Sequence, residues 1–249
     1  MRYQDMDNDL EKRLFDFIEN SHAQNILDFG CGKGSLLNKI INRFPNLNLT
    51  GIDFFSKFAD DFKTENTNNK IKYLDIESPD FQKLLTENNF DLIISTFTLH
   101  HFKLPVSALN QMYNLLNNNG KLWLCDFSLI QSSSGQKIAN ILSYFDEIRQ
   151  FFKKSYHRHY YSKDEAQDLF SAFSFKNLLI DEITYEMQDS DLLELKNETL
   201  ERINTVKNNL QYAPDFEKSF FSKISEIESD LLKNYSPERN TLLYITASR

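Results

Sequence analysis

The stretch Asn25-Ile26-Leu27-Asp28-Phe29-Gly30-Cys31-Gly32-Lys33-Gly34-Ser35-Leu36-Leu37 decides how the chain is read. Ile26, Leu27 and Phe29 form a short apolar run suited to a buried parallel strand. Gly30, Gly32 and Gly34 break that run, and helical spacing begins at Leu36, Leu37, Ile40 and Ile41. The pattern predicts a strand, a glycine turn and a helix. Glycines have no Cβ, so a ligand can lie directly on their main chain, and the following helix offers unpaired N–H groups and the positive end of its dipole to an anionic group. A flat, partly negative ligand fits such a cradle.

Outward from this stretch, composition sets bounds. The chain has 249 residues, 41 % hydrophobic and 26 % charged. That is ordinary for a globular protein and long enough for one large α/β domain or two small ones, of which one is favoured. No apolar run approaches the roughly 20 residues that span a bilayer. The first ten residues are polar and acidic, unlike a secretion signal, which predicts a cytoplasmic protein. The two cysteines, Cys31 and Cys125, have neither disulfide-framework nor metal-cluster spacing. A net charge of −8 argues against general nucleic-acid affinity. The basic residues Arg149, Lys153, Lys154, Arg158 and Lys163 read as a solvated helix face.

Glycine spacing separates two kinds of nucleotide turn. The dinucleotide fingerprint is Gly-x-Gly-x-x-Gly, whereas here the third glycine falls one residue early, at Gly34, and Asp28 precedes the first by two. The resulting Asp-x-Gly-x-Gly-x-Gly resembles motif I of the class I S-adenosylmethionine-dependent methyltransferases. An NAD-dependent oxidoreductase is disfavoured by this spacing and by the lack of a Tyr-x-x-x-Lys pair on a helix.

The rest of the chain is read against that resemblance. Residues 7–19 predict an amphipathic helix leading into the first strand. Leu47, Leu49, Gly51 and Ile52 mark a second strand ending at Asp53, roughly 20 residues past the glycines, where a βαβ unit places a carboxylate beside an adenosine ribose. An acid there could also cap a helix. A third strand, Ile71 to Leu74, ends at Asp75-Ile76. The resemblance implies that Asp75 accepts from the adenine amino group while the Ile76 N–H donates to the ring, and Phe54 could lie on the adenine face.

A fourth strand, Phe90 to Ser95, runs into Thr96-Phe97-Thr98-Leu99-His100-His101, similar to the family's post-strand-four segment. By resemblance, Ser95 and Thr96 border the methionine part of the cofactor and one of the two histidines approaches the methyl-transfer site. A helix over 106–117 is expected to stop at Asn117-Asn118-Asn119-Gly120 in left-handed conformations, followed by strand five, Lys121 to Phe127. Asp126 ends that strand, but no further metal ligands are found, so no metal is expected. Ser162 is a candidate helix cap with Glu165 at the third position.

The fold expected from the resemblance is a Rossmann-like α/β sheet of seven strands in order 3-2-1-4-5-7-6, the last antiparallel, in a single domain over 1–249. Residues 1–20 form its N-terminal helix, 131–160 border the crevice, and 188–238 are a helical insertion acting as lid or dimer surface. The expected function is methyl transfer from S-adenosyl-L-methionine to a small-molecule acceptor at O, N or C, releasing S-adenosyl-L-homocysteine. A histidine base helps when the acceptor must lose a proton; His101 ranks first among His100, His101, His157 and His159. The cofactor set is Asp28, Gly30, Gly32, Gly34, Asp53, Phe54, Asp75, Ile76, Ser95 and Thr96. Two alternatives stay open: a cofactor-binding regulatory member, and a methyltransferase acting on RNA or protein. No membrane association is expected.

Overall fold

The computed structural model of the chain describes residues 3–53, 71–75, 90–130, 158–185 and 240–249, with residues 83, 140, 144 and 147 and scattered residues between 193 and 229. Helix α1 (Tyr3–Ser21) precedes β1 (Asn25–Phe29), α2 (Ser35–Arg43) and β2 (Asn48–Asp53). Then come β3 (Ile71–Asp75), β4 (Phe90–Thr96), a short 3₁₀ turn at Leu99–His101, α3 (Pro105–Leu115) and β5 (Leu116–Phe127). Helix α4 (Lys163–Ser171), β6 (Lys176–Tyr185) and β7 (Asn240–Ser248) complete the described elements.

The seven strands form one sheet in the order β3-β2-β1-β4-β5-β7-β6. The β1–β2, β1–β4, β2–β3 and β4–β5 pairs are parallel, whereas β7 runs antiparallel to both β5 and β6. This is the strand order and polarity the resemblance implies. Among the described residues no helix is long and apolar enough to cross a membrane.

Side-chain alternation explains why both faces are covered. Leu27 and Phe29 of β1, Ile93 of β4 and Leu122 and Leu124 of β5 pack on one face with Leu109, Met112 and Phe170 of α3 and α4. Ile26, Leu92, Ile94, Trp123 and Cys125 point to the other face and meet Leu14 and Ile18 of α1 and Leu37 and Ile40 of α2. Burial of Leu10, Leu14 and Ile18 at 7 % exposure or less stabilises the docking of α1 by roughly 1.5–3 kcal/mol per side chain. Tyr185 Oη of β6 donates to Asp9 Oδ2 at 2.7 Å, tying the same helix to the far edge of the sheet.

Of two local expectations, one turns out differently. Helix α3 ends at Leu115, and the Asn117–Gly120 run continues as extended chain at the start of β5. Among the described residues the non-glycine positive φ values belong to His22, Phe97 and Asn177, so no left-handed asparagine stops the helix. Pairing of Leu116 with Phe90, and the Asn117 amide donating to Asp91 Oδ1 at 2.7 Å, hold the run extended, and a register shift absorbs it before Lys121 pairs with Leu92. At α4 the cap forms as read: Ser162 accepts from the Glu165 N–H while the Glu165 side chain accepts from Ser162 N.

Candidate functional site

The carboxyl ends of β1, β2, β3, β4 and β5 share one edge of the sheet, which in open parallel sheets is where ligands bind. At that edge β1 passes into the glycine turn. The N–H groups of Gly30 and Cys31 both donate to the Ile52 carbonyl, at 2.8 and 3.0 Å, so the end of β2 fastens the turn. Gly30, Gly32 and Gly34 have φ of +94°, +52° and +80°, a region costly for side-chain-bearing residues. A Cβ on Gly30 would lie 2.3 Å from Thr98 Cγ2, whereas one on Gly32 would meet nothing within 4 Å. The turn is thus packed from below by Thr98 and open at Gly32, where a ligand can approach the main chain.

Two buried carboxyls lie under this turn. Asp53, at the end of β2, accepts the Gly32 N–H on Oδ2 at 2.8 Å. Asp28, 1 % exposed on β1, has Oδ1 buried with no hydrogen-bond partner among the described residues. Burial, with the charge of Asp53 adding to it, pushes the Asp28 carboxyl up to about 8. The same burial, with both acids nearby, pushes the Cys31 thiol well above its usual range. A buried acid with an empty acceptor oxygen is costly unless a partner arrives.

The remaining expected cofactor positions fall as follows. Asp75 ends β3 directly beside Asp53 in the strand register. Phe54 and Ile76 lie outside the described residues. Ser95 is fully buried, and its hydroxyl donates to the Phe29 carbonyl at 2.8 Å, which pins β4 to the start of the glycine turn and directs the hydroxyl away from a ligand role. Thr96 accepts the Thr98 hydroxyl on its carbonyl at 2.7 Å, closing the small turn that carries Thr98 under Gly30.

The histidines divide sharply. His100 is buried, its backbone N–H donates to Asp126 Oδ2 at 3.0 Å, and its Nδ1 lies 2.8 Å from Asp126 Oδ1. The Tyr160 ring meets it edge-on at 5.3 Å, and the Arg158 N–H donates to its carbonyl at 3.1 Å. His101 is exposed, its ring 4.0 Å from that of His100. His159 holds Glu147 through Nδ1 at 2.7 Å, stacks with Tyr144 at 4.3 Å, and lies 3.7 Å from Glu165. His157 is outside the described residues. His100 is thus held by the Asp126 carboxylate and His159 by that of Glu147. In the sequence Asp126 stands out only as a strand-end acid; a separation of 26 positions from His100 hides the pairing. No group of three or more metal-ligating side chains occurs among the described residues.

Comparison with known proteins follows the same lines. A family model described as "Methyltransferase domain" matches residues 27–122, from β1 into β5. Malonyl-[acyl-carrier protein] O-methyltransferase 1 of Ilyobacter polytropus is 24 % identical over 99 % of this chain and 88 % of its own length. The YcgJ protein from Bacillus subtilis superposes with a TM-score of 0.60 at 16 % identity, over 94 % of this chain and 96 % of that one. The [4+2]-cyclase SpnF superposes with a TM-score of 0.60 at 12 % identity, over 100 % of this chain and 84 % of that one. At such identities the two structural likenesses speak for the fold alone.

Proposed function

We propose that the chain is a class I S-adenosylmethionine-dependent methyltransferase, a reading supported by the family model over residues 27–122 and by the Ilyobacter relative, and that it methylates a small-molecule acceptor by in-line displacement and releases S-adenosyl-L-homocysteine. The observation that carries the cofactor half of this reading is the pair of buried acids under an open glycine turn, one holding Gly32 and the other with an unpartnered oxygen. A ligand with ribose hydroxyls and cationic groups complements both. When bound there it supplies an electrophilic methyl group on sulfur.

Each residue has a distinct task in this reading. Asp53 accepts from ribose hydroxyls while fixing the Gly32 amide. Asp75, with Ile76 and Phe54 following the ends of β3 and β2, holds the adenine. Gly30, Gly32 and Gly34 permit close approach of the main chain, and Asp28 receives a donor or cationic group. Ser95 and Thr96 contribute by shaping the crevice through their backbone. Catalysis itself is mainly alignment and exclusion of water, since the displacement asks little covalent chemistry of the protein. Residues 1–249 act as one domain in this reading; the segments expected to border the crevice, 131–160, and to form a lid or dimer surface, 188–238, fall largely outside the described residues. A cytoplasmic location fits such a protein.

A second reading of the acceptor is favoured by the Ilyobacter relative, whose name specifies a malonyl group on a carrier protein; the acceptor would then be a carrier-borne carboxylate. A cofactor-binding member without methyl transfer is a third, since the fold also serves the cyclase SpnF. Calorimetric titration with S-adenosylmethionine, S-adenosylhomocysteine and NAD tests the premise. Dissociation constants on the order of 1–100 μM for the first two, with none for NAD, are expected. Binding of NAD alone, or of none of the three by folded protein, would overturn it.

A further inference from the structure

Three aromatic side chains meet in a row at the carboxyl edge of the sheet. Phe97 follows β4, Phe127 ends β5, and Tyr160 belongs to the segment before α4. The Phe97 and Phe127 ring centroids lie 4.9 Å apart at 31°, those of Phe127 and Tyr160 5.1 Å apart at 41°, and Tyr160 meets His100 edge-on at 5.3 Å. All three residues are half-buried, whereas Trp123, earlier on β5, is fully buried. Phe97 and Phe127 pack against the core under α1. From there the row runs to the segment 158–161, which is tied to the end of β5 by the Leu129 N–H donating to the Tyr161 carbonyl at 2.9 Å.

The backbone at Phe97 is strained. Its φ of +51° lies in the left-handed region, where a bulky side chain is disfavoured and glycine or asparagine would sit more easily. Two contacts hold it there: the Phe97 N–H donates to the Cys125 carbonyl at 2.8 Å, and the next residue, Thr98, packs under Gly30 of the glycine turn. Strain of this kind is sustained where the surrounding structure over-determines a position, and it clusters at ligand sites. Here it fixes a phenyl ring at the head of the row. The kind of ligand follows from the arrangement of the rings. Rings gathered around one point hold a cationic ammonium, because each face turns to the same centre. Rings stepped side by side offer an extended apolar face instead, which suits a flat aromatic ligand by offset or edge contact.

We propose that Phe97, Phe127 and Tyr160 form the acceptor-binding wall of the methyl-transfer site, with Phe97 as a specificity-determining residue, and that the acceptor carries its reactive atom on a flat aromatic ring. The inference rests on the methyltransferase reading and narrows its substrate class. Thr98 joins the wall to the turn that receives the cofactor, so a ring laid on the wall lies on the acceptor side of that turn. Contact along the wall removes water from the ring faces and restricts the acceptor to one plane, which is the alignment an in-line displacement needs. A carrier-borne malonyl group has no aromatic surface and would leave the wall unused.

The test uses the full chain, saturated with S-adenosylhomocysteine and ¹³C-labelled in phenylalanine and tyrosine, with naphthol and its saturated counterpart decalinol as probes and choline as the cationic control. In nuclear magnetic resonance, naphthol should shift the ring signals of Phe97, Phe127 and Tyr160, assigned with Phe97→Leu, Phe127→Leu and Tyr160→Leu. It should bind about 10-fold more tightly than decalinol, which is the more apolar of the two but has no ring face to stack. Phe97→Leu keeps apolar volume and loses the ring, so it should erase that preference while leaving affinity for S-adenosylhomocysteine unchanged. Tyr160→Leu should do the same from outside the strands, which keeps the proposal testable if the Phe97 variant does not fold. Equal binding of naphthol and decalinol, preferential binding of choline, ring signals indifferent to naphthol, or a naphthol preference that survives both variants would overturn the wall. So would malonyl-loaded carrier protein methylated at the same rate by the unaltered protein and Phe97→Leu. Failure of the unaltered protein to bind either form of the cofactor would instead overturn the methyltransferase reading.

Discussion

Asp28 and Asp91 sit on neighbouring parallel strands of the same sheet, where β1 and β4 pair, yet their surroundings are opposite. Asp91, at the start of β4, accepts the Gln24 and Asn25 N–H groups at 2.9 Å each and the Asn117 amide at 2.7 Å. Burial alone would raise its carboxyl, but these donors hold it below the ordinary range. Asp28, toward the other end of β1, is more deeply buried, has an unpartnered oxygen and is pushed up to about 8. The amino ends of the strands are sealed by the chain's own amides. The carboxyl ends keep an acceptor whose donor is not among the described protein groups, and that imbalance marks the ligand edge more plainly than the glycines do.

The contrast can be broken at several points. The largest expected effect is at Gly30. Gly30→Ala forces a methyl into Thr98 at positive φ and should cost about 3–5 kcal/mol in urea unfolding; a loss below about 1 kcal/mol would mean the contact with Thr98 gives way easily. Next, Asp53→Ala removes the acceptor for Gly32 N–H and, on the proposed role, for the ribose. Calorimetry should show cofactor binding weakened by roughly 1.5–3 kcal/mol, about 10- to 150-fold, and unchanged affinity would take Asp53 out of the site.

Asp28→Asn sharpens the comparison itself. The folded carboxyl titrates near 8 against 3.8 unfolded, so the folded state binds the proton more tightly. That contribution is present in full below about pH 4 and is lost as pH rises through 8. At pH 8 the amide should make the ligand-free protein more stable by at least about 2 kcal/mol, with a smaller gain at pH 5, and should weaken cofactor binding. A melting temperature that falls at pH 8 would show that Asp28 is already satisfied. Asp91→Asn gives the opposite and smallest effect. Its folded value is depressed, so its stabilisation is present above the unfolded value near 4 and lost as pH falls through the folded one. The variant should lose about 1 kcal/mol at pH 7 and nothing near pH 2; a loss that persists in acid would make the cost steric.

Some of this was legible in the linear chain and some was not. The strand-turn-helix at Asn25–Leu37, the capping box at Ser162 and Glu165, and the acid closing β2 depend on neighbours a few residues away, and the residue types announce them. The strand order followed from resemblance, not from any local pattern. The extended Asn117–Gly120 run was misread because asparagine and glycine propensities point to a left-handed stop, whereas the Asn117 amide is held by Asp91 and Leu116 by Phe90. The contact of His100 with Asp126 was not legible for a related reason. Neighbouring histidines look alike in sequence, and only the fold decides which one turns inward to a carboxylate on the next strand.

The place of β7 bears on how the molecule comes together. Strand β6 is joined to the sheet through β7, and β7 through β5, so the edge of the sheet is a chain of dependence rather than a row of equal partners. Until residues 240–248 arrive, β5 presents an open edge and β6 has no strand to pair with, although the glycine turn, Asp53 and the His100 segment all precede that point. The ligand end is thus built from residues that precede β7, whereas the opposite edge is complete only once one strand sits between two that come before it in the chain.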